Sequence, residues 1–139
     1  MMREGLQTNF PHEALRRSGC LFFSLMKWLE IKDGMSFSDE ALIGVFNRAA
    51  EAGILNPANC FINNSVSLLN LALGRDKYRD VVRDLKRAPV DDTGIKRLVR
   101  NNGVETHFIM FIGGRDWDTK DPRRAAAKTW SFHSFREPV

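Results

Sequence analysis

The sequence predicts an α+β fold in which N-terminal helices, one of them central and buried, pack on a C-terminal antiparallel β-sheet. Two patterns and one turn carry this. Apolar residues recur at helical spacing as far as Leu73, whereas from Gly94 onward they fall in short β-branched and aromatic runs. Between two of those runs, Asn102-Gly103 can supply the positive φ angles of a tight hairpin.

Taken in order, Ser18 is the expected cap of a first helix with Cys20 in its first turn. Its apolar positions Leu21, Phe22, Phe23, Leu25, Met26, Trp28 and Leu29 spread round most of the circumference, so this helix belongs in the centre of the core. After a turn at Asp33-Gly34, Ser38 caps a second helix with Asp39 and Glu40 in its first turn and a stripe of Leu42, Val45, Phe46 and Ala49, ended by Gly53. A loop with Asn56-Pro57 leads to a third helix near Ser65 to Leu73, stopped by Gly74. Val81, Val82 and Leu85 suit one face of a further helix over Tyr78 to Lys86, or a short strand; the helix is preferred. The stretch "IKRLVRNNGVETHFIMFIGG" reads as two strands, with His107 to Ile112 mostly buried. Gly113 to Ala127 reads as a loop, with Gly113-Gly114 letting the strand bend out of the sheet, and "KTWSFHSFR" as a last strand.

The length of 139 residues fits one domain, with 43% hydrophobic and 27% charged residues, so neither a disordered nor a fibrous chain is indicated. No apolar run approaches the roughly 20 residues that cross a bilayer. The N-terminus has neither an apolar h-region nor a small-residue cleavage site, and the expected location is the cytoplasm, with no membrane partner. Two cysteines, Cys20 and Cys60, do not make a disulfide framework and are read as free thiols. The net charge is +4, with bases gathered over residues 75 to 100 and at Lys120 to Arg124, but acids are interleaved throughout. Solvated faces are favoured over a nucleic-acid footprint.

Three residue types suggest chemistry. A cysteine nucleophile needs an imidazole to take its proton, and the imidazole needs a third group to fix its tautomer. Cys20 stands at a helix start, where unpaired N–H groups and the positive end of the helix dipole favour a thiolate. His107 opens a strand, and Asp121 precedes Pro122 in the loop beyond it. Singly, each has a structural reading: a packed thiol, a core histidine, a turn former.

Their order and surroundings, "SGC" at 18 to 20, "HFIMFIGG" at 107 to 114 and "DP" at 121 to 122, resemble the papain-like cysteine peptidases, in particular the compact bacterial branch that includes the bacteriocin-processing double-glycine peptidases. The fuller pattern "LQTNFPHEALRRSGCLFFSL" with "HFIMF" also looks like a family of short proteins from bacteria and their phages, which brings no established substrate. The resemblance implies a papain-like fold and a thiol hydrolase acting on a peptide or isopeptide bond of a peptide or protein substrate, with Cys20, His107 and Asp121 as a triad. It also implies an upstream glutamine in the oxyanion hole, for which Gln7 is the candidate, returned to the site by an inserted turn through Pro11. Leu21, Phe22 and Phe23 stand where small polar residues are usual and would narrow a substrate cleft. The competing expectation is a papain-like binding or assembly module, phage-derived, without turnover.

No cofactor is expected. His12 and His133 have no further ligands at metal spacing. "GGRD" at 113 to 116 lacks the helix start of a phosphate loop, and Asp116, Asp118 and Asp121 lack the remaining oxygens of a calcium loop and are read as solvated.

Overall fold

The computed structural model describes residues 1–121, 123 and 129–139. A 3-10 turn at Leu6–Asn9 leads into α1 (Glu13–Ser18), α2 (Cys20–Asp33), α3 (Asp39–Glu51) and α4 (Ser65–Leu73). Then follow β1 (Val81–Leu85), β2 (Gly94–Arg100), β3 (Glu105–Ile112), β4 (Arg115–Trp117) and β5 (Ser131–Pro138). The strands form one antiparallel sheet in the order β1-β5-β2-β3-β4, so the fold is α+β. Among the described residues no helix is long and apolar enough to cross a membrane.

Local chemistry accounts for the helix ends. Ser38 Oγ accepts from Ala41 N at 3.1 Å and Asn64 Oδ1 accepts from Ser67 N at 3.0 Å, each satisfying a donor that the first helical turn leaves open. Gly34 and Gly74, at φ 68° and 83°, take the left-handed step that closes α2 and α4. The expected cap at Ser18 is not formed. Ser18 instead ends α1, and Gly19, whose N–H reaches Leu15 O at 2.9 Å, closes α1 and opens α2 with no side-chain cap.

The hairpin forms as the sequence predicts. Asn102 and Gly103, at φ 55° and 84°, turn β2 into β3, with Val104 N bonded to Asn101 O at 3.1 Å. Two other segments differ from expectation. Residues 81–85 form an edge strand, not a helix: Asn70 Oδ1 accepts from the backbone N–H groups of both Lys77 and Tyr78, and Arg79 N bonds to Val139 O, which hold the chain extended. The β-branched pair Val81-Val82 then pairs with Pro138 and Glu137 of β5. The expected loop after Ile112 contains strand β4, because Gly113 and Gly114, at φ 57° and 86°, make a two-residue turn that returns the chain antiparallel to β3. Residues 122 and 124–128, including Pro122 and part of that expected loop, lie outside the described residues.

Helix α2 is buried without a break from Phe22 to Glu30. It packs along β3, with α3, α4 and the N-terminal segment joining the same apolar cluster as Ile95 and Met110 of the sheet. Leu98, Ile109 and Trp130 form a second, smaller cluster. A buried ion pair, Lys27 with Glu30, lies inside the helical layer. The Glu30 carboxylate accepts from Met2 N at 3.0 Å, Phe37 N at 2.9 Å and Lys27 Nζ at 3.1 Å, and Lys27 Nζ also donates to Met2 O at 3.0 Å. Glu30 therefore ties the N-terminal segment and the α2–α3 connection to the central helix. Glu30→Ala leaves the Lys27 charge buried without its counter-ion and the Met2 and Phe37 N–H groups without an acceptor, which is expected to cost about 3–5 kcal/mol. A thermal melt checks this, and a melting temperature within about 2 °C of the parent contradicts the assignment.

Candidate active site

Cys20 is the first residue of α2 and is half-buried. Its position follows from Gly19. A Cβ on Gly19 would stand 2.5 Å from Leu15 O and 3.0 Å from the Phe23 ring, so only glycine lets α1 run this closely into α2. With no side-chain cap, the first N–H groups of α2 remain available to negative charge at the cysteine.

His107, on β3, lies within hydrogen-bonding reach of the Cys20 thiol. Its Nε2 stands 2.8 Å from Asp118 Oδ1, which also accepts from Lys120 N at 3.0 Å. A carboxylate only accepts, so Nε2 carries the proton and Nδ1 is left for the sulfur. His107 and Asp118 side chains are both 2% exposed, and Trp130 lies against the imidazole with ring centroids 5.6 Å apart.

The carboxylate that holds His107 is thus Asp118, and not Asp121. Asp121 lies on an exposed turn, where Arg123 donates to it from its backbone N and guanidinium and holds its carboxyl down to about 2. Nothing places it on the histidine. The sequence did carry a signal for Asp118. If Gly113-Gly114 is a two-residue hairpin turn, Ile112 pairs with Arg115 and Met110 with Trp117, which carries residue 118 back along β3 towards His107. Reading the glycines as a bend and the three acids as solvated hid this.

The electrostatics bind the pair together. Burial disfavours charge on either group alone. At Cys20, the hydrogen bond and charge of His107, the Phe108 backbone N–H and the charge of Lys120 outweigh burial and bring the thiol below its ordinary value. At His107, burial is likewise outweighed by Asp118 and Cys20, and the imidazole rises above its ordinary value. The two shifts favour the thiolate–imidazolium pair over the neutral one. Cys60 behaves oppositely: burial, and then the charge at Cys20, push it up to about 11, and its Sγ lies 3.2 Å from Ala14 O.

Gln7 is fully buried behind the site. Its N–H donates to Thr119 O at 2.9 Å, its Oε1 accepts from Thr119 Oγ1 at 2.6 Å, and its Nε2 donates to Arg16 O at 3.3 Å, one helical turn before Cys20. The residues between Gln7 and Cys20 are taken up by the rest of the 3-10 turn and by α1, so the glutamine joins the end of α1 to the Thr119 segment.

A cleft of about 520 Å³ opens beside Cys20, between the start of α2, the loop around Cys60 and Phe61, and Thr106 and Phe108 of β3. Phe22 and Phe23 do not narrow it. They are 1% and 0% exposed and face the core, Phe23 edge-on to Phe10 and Phe22 to Phe46; Leu21 alone of the three lines the cleft. Among the described residues no group of His, Cys, Asp and Glu is placed to hold a metal ion, and His12 caps α1 through Nδ1.

Iodoacetamide at pH 7 is expected to label Cys20 well ahead of Cys60, with a labelling rate that keeps its plateau to a pH below that of an ordinary thiol. Asp118→Asn is expected to move the Cys20 titration upward and slow labelling at pH 7 by about tenfold, the effect of one pKa unit, while Asp121→Asn leaves both within about twofold. Site-resolved mass spectrometry across pH 5–10 reads both; equal effects of the two substitutions would remove Asp118 from its place.

No family model, curated protein or solved structure matches the chain, so the functional reading rests on this geometry.

Proposed function

We propose that the protein is a thiol hydrolase with a papain-like arrangement, cleaving a peptide or isopeptide bond. The observation that carries the reading is the buried relay of Cys20, His107 and Asp118 opening on a cleft. A thiol brought below its ordinary value by an imidazole, itself oriented by a carboxylate, is the arrangement nucleophilic catalysis requires. A structural thiol needs neither an ion-pairing partner nor a cleft.

In this mechanism the Cys20 thiolate attacks the scissile carbonyl carbon. The developing oxyanion is met by the Cys20 backbone N–H, while the fully buried Gln7, bonded to Arg16 O and Thr119, braces the chain behind the site. His107, protonated in the resting pair, gives its proton to the leaving amine as the C–N bond breaks and a thioester forms. Water, deprotonated by His107, then attacks the thioester carbonyl and releases the acid product and the thiolate, with the proton back on His107. Asp118 acts through His107 as a positioning residue, holding Nε2–H so that Nδ1 faces the sulfur. Trp130 and the buried setting keep competing water from the His107–Asp118 bond.

The test is incubation with a diverse mixture of peptides and branched, lysine-linked peptides, with cleavage read by mass spectrometry. The parent is expected to cleave a defined subset, and Cys20→Ala and His107→Ala each to lose at least about a hundredfold in rate. Activity against the acid limb should rise as Cys20 ionises, below the ordinary thiol range, and fall on the alkaline side as His107 loses its proton, above the ordinary imidazole range. Absence of cleavage by the parent, or cleavage that persists in Cys20→Ala, sinks the reading.

A further inference from the structure

The cleft beside Cys20 ends in a group of arginines. Arg83 of β1 and Arg136 of β5 line it, and Arg97 of β2 lies behind them, directly paired in register with Phe108 and with Ser134. The Arg136 guanidinium sits 4.7 Å over the Phe108 ring, and Phe108 is the residue whose backbone N–H reaches the Cys20 sulfur. The arginines and the nucleophile therefore share one wall.

These cations differ from others on the sheet. On β2 itself, Lys96 is paired with Asp116 at 3.0 Å and Arg100 with Glu105 at 2.7 Å. Among the described residues Arg83, Arg97 and Arg136 make no ion pair, and Arg97 Nε is buried with no hydrogen-bond partner. Burial and the charges of Arg83 and Arg97 bring Arg136 down to about 10, with Asp84 the one acid whose charge opposes this, from an exposed position and without contact. Three guanidiniums that repel one another and lack a counter-ion are costly to hold beside a cleft, and a carboxylate from outside the chain, meeting Arg83 and Arg136, offsets the repulsion.

We propose that Arg83 and Arg136, backed by Arg97, are the specificity subsite for an acidic side chain, Asp or Glu, of the peptide on which Cys20 acts. The subsite rests on the thiol-hydrolase reading for its purpose, but its chemistry is independent of turnover. Guanidinium forks fit a carboxylate through two parallel bonds, and the Phe108 ring fixes the plane of one of them. A substrate with the amide analogue at that position would leave the arginines without a counter-ion and with one acceptor oxygen in place of two.

The test uses N-acetyl tetrapeptide chloromethyl ketones that differ only in one residue, Glu or Gln, placed at each of the four positions in turn. The rate of Cys20 alkylation is read by mass spectrometry, and the Glu-to-Gln ratio within each protein serves as its own control. The parent is expected to prefer Glu at one position by about tenfold, the usual effect of a charge-assisted pair. Arg136→Gln and the exposed Arg83→Gln are each expected to bring that ratio to within about twofold of one. In parallel, Cys20→Ala protein is titrated with the corresponding tetrapeptide amides, and the Nε–H signals of Arg83, Arg97 and Arg136 are expected to move with a Glu peptide and not with its Gln counterpart. A ratio near one at every position in a reactive protein, a preference that survives both substitutions, or unmoved arginine signals overturns the subsite. If Cys20 is not labelled ahead of Cys60 by iodoacetamide, the hydrolase reading falls and the titration alone decides the subsite.

Discussion

The main core of this molecule is arranged around one helix whose middle has no solvent face. From Phe22 to Glu30 each residue of α2 is covered, which requires layers on every side: the sheet through Ile95 and Met110, α3 through Leu42 and Phe46, α4 through Leu68 and Leu69, and the N-terminal segment through Met2, Leu6 and Phe10. Burying a helix so fully gives a large hydrophobic return but no tolerance of shift, because close-packed interiors do not deform continuously. The two ends of α2 therefore become fixed points. At one end Glu30 collects Met2, Lys27 and Phe37; at the other, Gly19 lets α1 approach so closely that Cys20 is delivered at a set distance from β3.

That rigidity has an electrostatic counterpart. A helix start without a side-chain cap leaves its N–H groups unpaired, and at most helix starts water meets them. Here the neighbour is a thiol held against an imidazole, so the uncapped turn favours the ionised sulfur. The same burial that would push a lone thiol up, as it does Cys60, is outweighed at Cys20 because the opposite charge is buried with it. The two cysteines share a cleft, and the difference between them is the presence of His107.

The sequence made the helices and the hairpin legible because their signals are local. The side-chain cap at Ser38, the glycines at 34 and 74, and apolar spacing over several turns each specify an element without reference to the rest. The misreadings occurred where a long-range contact decides. Val81-Val82 became a strand because β5 offers an edge and Asn70 holds the preceding backbone extended. The six-residue α1 is too short to show a stripe, yet it takes up the chain between Gln7 and Cys20, and its Arg16 carbonyl accepts from the glutamine. Cys20 and His107 were legible by residue type and by the elements that carry them, although β3 begins two residues before the histidine. Asp118 was not, since its identity as the third group depends on the turn at Gly113-Gly114 and hence on strand register.

The choice of Asp118 over Asp121 has a physical reason beyond register. Asp121 is exposed and already neutralised by Arg123, and a charge in that setting exerts little field on a buried imidazole. Asp118 is removed from water together with His107, so their attraction is little screened. Its backbone carbonyl accepts from Gly5 N at 3.0 Å, and the next residue, Thr119, holds both the backbone and the side chain of Gln7. One short segment thus orients the histidine from one side and clamps the N-terminal strap from the other. The relay at the sulfur is complete only when the chain's first residues, its central helix and its sheet have all come together.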